Sequence, residues 1–145
     1  MQISSEYLQT LLPKQHFEVT ETTLEDGRRL LLIAQKHHIA AQAISAIDTD
    51  GSYQLVYDAA RKALQAILSA NGFRITAAGG HYAYVKFAES GALQPQVWTE
   101  FRLMRLLRNS LEYPNNDVRT VSADELASAH EHVKIMLAEV EHLFQ

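Results

Sequence analysis

Phe101-Arg102-Leu103-Met104-Arg105-Leu106-Leu107-Arg108-Asn109-Ser110-Leu111-Glu112-Tyr113-Pro114 reads as the end of a packed helix. At helical pitch Val97, Phe101, Met104, Leu107 and Leu111 share one arc of about 120°, the apolar face of a helix in a bundle. Arg108 falls inside that arc, where the pattern asks for a leucine. A guanidinium facing a core is costly unless it is paired or has somewhere polar to point. A conflict of this kind marks a candidate functional position. Pro114 then pushes Tyr113 out of helical geometry. The break frees the phenol to swing back towards Arg108 and Asn109, so three polar side chains could converge at one helix end. The competing reading pairs Arg108 with Glu112, four residues on.

Working outward, helical spacing recurs along most of the chain. Tyr7, Leu8, Leu11 and Leu12 predict a short N-terminal helix that ends at Pro13. Phe17 and Val19 alternate with polar residues and predict an extended stretch. Thr22-Thr23-Leu24-Glu25 has the form of a capping box, with Thr22 as N-cap and Glu25 at N3. Leu30, Ile33, His37, Ala40, Ile44 and Ile47 follow as a seam, with Leu31, Ala34 and Ala41 widening the apolar surface. His37 in that seam reads as a packed core histidine. Tyr53, Val56, Tyr57, Ala60, Ala63, Leu64, Ile67 and Leu68 form a second seam that Asn71-Gly72 terminates. Arg61 and Lys62 lie off it and read as solvated. Residues 80–89 predict a short helix, with a strand through Tyr82 and Tyr84 as the rival. Helices over 94–112 and from the capping box Ser122-Ala123-Asp124-Glu125 onward complete the set.

These elements predict one all-α domain over residues 1–145: an up-and-down antiparallel bundle of four to five helices with a short N-terminal helix. The length suits a single core. There are no cysteines, so no disulfide and no thiolate metal site. No signal peptide and no apolar run of spanning length is present, and the cytoplasm is the expected compartment. A net charge of −4 argues against coating nucleic acid wholesale but allows a local basic site.

Familiar motifs are set aside on chemistry. His130-Glu131-His132-Val133-Lys134 lacks the second histidine of a zinc-protease helix. His130 and His132 project about 200° apart on a helix, so they do not chelate together. Asp48-Thr49-Asp50-Gly51 has too few oxygens for a calcium loop. Arg102, Arg105 and Arg108 recur every third position beside Asn109, a slanting stripe suited to phosphate oxygens. No cofactor and no metal is expected.

Tyr57-Asp58-Ala59-Ala60-Arg61-Lys62-Ala63-Leu64-Gln65-Ala66, then Asn71-Gly72-Phe73-Arg74, Gly80-His81 and Leu106-Leu107-Arg108-Asn109-Ser110-Leu111-Glu112-Tyr113 together resemble the HEPN superfamily of small helical nucleotide-binding domains. The likeness covers residues 22–144 loosely. It implies an RNA-directed domain of toxin–antitoxin or phage-defence type, a metal-independent endoribonuclease or a degenerate relative, with a cognate antitoxin or operon partner. It also implies a homodimer with the signature at the interface. The family signature is Arg, often Asn, four to six residues, then His. Arg108 and Asn109 match, and Tyr113 stands where the histidine is expected. Arg108 would then hold the phosphate, Asn109 orient it and Tyr113 act as acid or contact, with Arg102 and Arg105 binding RNA. A tyrosine near pKa 10 is a poor base at neutral pH, and His81 is the histidine that another helix could bring in. The alternatives are a non-catalytic homodimeric interaction or regulatory module, and a small-molecule site near His81, Tyr82 and Tyr84. For the dimer, Val97, Phe101, Met104 and Leu111 are the expected apolar contacts.

Overall fold

The computed structural model describes residues 2–112 and 120–145. Its helices are α1 (Ser5–Leu11), α2 (Leu24–Ile44), α3 (Thr49–Ala70), α4 (Gly80–Phe87), α5 (Pro95–Glu112) and α6 (Ala123–Leu143). They form the helical bundle that the periodicity predicts. A small antiparallel pair, β1 (Phe17–Val19) and β2 (Phe73–Ile75), ties the N-terminal segment to the end of α3. Phe17 and Phe73 meet edge to face across it, 6.3 Å apart. No helix among the described residues is long and apolar enough to cross a membrane.

α3 is the central helix, packed by α2, α5 and α6. Its seam from Tyr53 to Leu68 is buried as expected. Asp48 caps its start, accepting from the Gly51 amide at 2.8 Å. The capping box of α6 is present, with Ser122 and Glu125 in their expected places.

α2 corrects the sequence reading twice. Its capping box is Thr23 with Asp26, one residue later than the pattern suggests, while the Thr22 hydroxyl bonds Thr20 at 2.6 Å. Its buried face is Gly27, Leu31, Ala34, His38 and Ala41. Ile33 and Ala40, read as seam, face outward, and Ile47 lies beyond the helix, exposed. The reason is steric. A Cβ on Gly27 would sit 2.7 Å from both the Ala66 carbonyl oxygen and the Ala70 Cβ. The small-residue face lets α2 lie close against the alanines of α3, and close approach multiplies dispersion contacts along the whole helix pair. The bulkier seam cannot approach as far.

α4 ends in a π-type turn, Ala88–Ala92, that breaks at Gly91 with φ 96°. Side chains rarely adopt that conformation, so glycine serves there. The break lets α5 leave at a new angle and lay Val97, Phe101 and Met104 into the core. Those three residues are therefore not the dimer contacts that the sequence reading assigned. Phe101 is 1% exposed within a single chain, because it stacks on Tyr57 with centroids 5.4 Å apart.

Candidate functional site

Tyr57 of α3 is the floor of the site. It belongs to the α3 seam, so its ring is buried, yet its hydroxyl reaches the mouth of a cleft of about 450 Å³. Gln54, Asp58, His81 and Arg108 are among the walls. The Tyr57 hydroxyl lies 2.8 Å from Nδ1 of His81, and the two rings are nearly parallel with centroids 5.5 Å apart. The Arg108 guanidinium carbon stands 5.9 Å from the Tyr57 ring centre. Among the described residues, Arg108 is half-buried over a tyrosine face at the edge of the cleft, where its charge keeps a polar outlook. Its Nη1 also donates to Asn109 Oδ1 at 3.4 Å.

A second layer lies behind. Asp58 accepts from Arg61 at 2.6 Å and faces His37 Nδ1 at 2.8 Å. Burial pushes the Asp58 carboxyl up, but Arg61, His37 and Lys62 outweigh it and hold it below the usual range. Arg61 is thus paired, half-buried and placed over the Tyr84 ring at 5.6 Å. The reading of Arg61 as a solvated residue is corrected: α4 folds over it. His37, read as a core histidine, is a half-buried member of this ion-pair cluster.

Electrostatics set the protonation states. Burial pushes the Tyr57 phenol up to about 12, against the opposing pull of Arg108, Arg105 and Arg61. It is a neutral phenol at any physiological pH. Burial, then Arg108, Arg61 and Arg105, push the His81 imidazole below its ordinary value, with Asp58 opposing. A neutral imidazole beside cationic side chains can hold a proton acceptor next to an anion site. In the tautomer whose Nδ1–H donates to the phenol oxygen, the Nε2 lone pair is available for a substrate proton.

The stripe of three arginines divides. Arg105 and Arg108 both bear on Tyr57 and His81, whereas Arg102 is exposed on the flank of α5. The Arg105 guanidinium carbon lies 5.8 Å from the Tyr82 ring centre, and its Nε is buried with no hydrogen-bond partner among the described residues. Tyr113 and the Glu112 side chain, the two competing partners for Arg108, lie outside the described residues. His81 is the residue that spacing on α5 could not place. It arrives from α4, 24 positions after Tyr57 in the chain. The Gly80-His81 pair carried the only sequence signal for it.

A larger cleft of about 680 Å³ lies between α5 and α6. Its walls among the described residues are apolar (Leu103, Leu106, Leu107) and acidic (Glu100, Asp124, Glu125), a lining that repels a phosphate. Among the described residues no group of three or more histidine or carboxylate side chains could hold a metal ion. Compared with models of known families, with characterised proteins and with solved structures, the chain has no match.

Proposed function

We propose that the Tyr57–His81–Arg108 cleft is an RNA phosphodiester site of HEPN type that cuts without a metal ion, with His81 taking the part of the missing signature histidine. One observation carries this reading: a histidine from α4 and an arginine from α5 meet on the same buried tyrosine. Arg108 and Arg105 would neutralise the non-bridging phosphate oxygens, with Asn109 orienting Arg108. His81 Nε2 would take the proton of a ribose 2′-hydroxyl as that oxygen attacks the adjacent phosphorus. The bond from phosphorus to the 5′-oxygen then breaks, and the leaving oxygen regains the proton through water. The products are a 2′,3′-cyclic phosphate and a 5′-hydroxyl. Tyr57 is a positioning residue that holds the His81 ring through Nδ1.

The test is incubation of the protein with total RNA in EDTA. Cleavage that survives chelation and disappears in Arg108→Ala and in His81→Ala supports the reading. Intact RNA with concentrated wild-type protein removes the enzymatic version.

A second reading, a non-catalytic interaction module, draws on the outer face of α2. Leu32 and Ile39 are exposed there, and Ile47 follows just after the helix. Growth inhibition by the wild type but not by an Arg108 variant would count against it. A dimer lost on Ile39→Glu, with RNA untouched by either protein, would favour it.

A further inference from the structure

Tyr82 plays no part in the chemistry proposed above. It follows His81 directly on α4, yet the residue is 48% exposed, whereas its neighbours Ala83, Tyr84 and Val85 are buried. The ring is flanked by two cations: Arg105 at 5.8 Å and Lys86 at 5.6 Å from its centre. Arg105 links this ring to the cleft, because the same side chain bears on Tyr57 and His81. A half-exposed tyrosine one residue from the acceptor histidine, beside an arginine that also bears on the cleft, is an arrangement that can take an unstacked base in single-stranded nucleic acid.

From this we infer that Tyr82 is a stacking platform for one nucleobase of a single-stranded RNA, next to the phosphate held by Arg105 and Arg108. The inference rests on the reading of the cleft as a phosphodiester site. It adds the substrate class: a strand with a free base, with little preference among bases, since every base offers a π-face. Duplex RNA, whose bases stay stacked on one another, is excluded from this platform. Tyr82 contributes little to the core, so its removal leaves the bundle intact, which circular dichroism checks directly.

The experiment measures fluorescence anisotropy with a labelled 2′-O-methyl oligoadenylate, in which no attacking hydroxyl remains, and with an abasic oligomer of equal length and charge. Wild type should bind the oligoadenylate about tenfold more tightly than the abasic strand, the size of one base–aromatic contact. Tyr82→Ala should erase that difference and leave abasic binding unchanged, and Tyr82→Phe should retain it. Equal wild-type binding of both strands overturns the stacking platform while the phosphate site stands. So does a difference that persists in Tyr82→Ala. Binding of neither strand overturns the phosphate site, and the platform with it.

Discussion

The Tyr57 hydroxyl and Nδ1 of His81 lie 2.8 Å apart, joining the central helix to a short one that the chain reaches only after a strand. A buried phenol that holds its proton fixes the imidazole without altering its charge. Removing that oxygen should therefore affect orientation more than affinity. Tyr57→Phe is expected to fold, to keep its RNA affinity, and to cut about 10- to 100-fold more slowly, a part of the 10²–10⁴ that a positioned base contributes. Single-turnover cleavage beside a binding isotherm separates the two effects.

The pH profile follows from the depressed His81 pKa. A base works in its neutral form, so activity should be present above the folded pKa and lost as pH falls through it. The acid limb of the rate profile should have its midpoint below the ordinary value of about 6.5. Replacing Arg105 by Gln removes a charge that lowers this pKa and leaves Arg108 in place, so the limb should move up, as should the His81 titration followed by NMR in Arg108→Gln. A limb that stays in place in Arg105→Gln while the His81 titration moves would take His81 out of the base role.

A different pair of histidines adds to the acid sensitivity of the fold. His38 is 7% exposed, and its ring lies 5.4 Å from that of His130 where α2 meets α6. Burial lowers both pKa values: a bond to the His130 backbone opposes it at His38, and Lys134 adds to it, while the His38 charge adds to it at His130. His38 Nε2 and His130 Nδ1 have no hydrogen-bond partner among the described residues. In the unfolded chain each takes a proton near pH 6.5, whereas the folded chain resists it. Stability is then fully present above about 6.5 and declines as pH falls towards the folded values. Melting temperatures from pH 7.5 to 5 should show this decline, and it should flatten in the His38→Gln, His130→Gln double variant.

Phe101 distinguishes core from interface. Stacked on Tyr57 and buried in one chain, it should not tolerate a charge. Phe101→Glu places an unpaired carboxylate in the core at a cost of several kcal/mol, against a total stability of roughly 5–15. Loss of the helical circular dichroism signal is expected; a folded monomer would return Phe101 to a contact surface. Phe101→Leu should fold.

Gly27 tests the close approach of α2 to α3. Alanine normally stabilises a mid-helix glycine position by about 1 kcal/mol. Here the added methyl meets the Ala66 carbonyl oxygen and the Ala70 methyl. Gly27→Ala should be destabilising by about 1–3 kcal/mol, the usual range for overpacking. Urea denaturation reads this directly, and a stabilised variant would mean the helices can part without penalty.

These residues also mark how far the sequence could be read. Where a helix is apolar on one side and polar on the other, as in α3, periodicity located the buried face. It misplaced the face of α2 because hydrophobicity was counted, whereas the fit to α3 rewarded small size at Gly27, Ala34 and Ala41. Arg108 was legible as a misfit within its own helix. Its surroundings were not: Tyr57 and His81 reach it through space, from α3 and α4, and no local spacing encodes that. Arg61 looked solvated because the short α4 that covers it lies some twenty residues later in the sequence.

The close-packed seam between α2 and α3 also orders how the molecule opens. These two consecutive helices pack along most of their length. In hydrogen-exchange terms, their amides should be released only with global unfolding. α4 is eight residues long and ends at the Gly91 break. It can exchange through a smaller opening of its own, one that withdraws His81 and Tyr82 while Tyr57, Asp58 and Arg61 stay on the protected helix. His81 would thus leave the cleft before its tyrosine floor does, so the Tyr57–His81 hydrogen bond should open at a lower denaturant concentration than the α2–α3 seam.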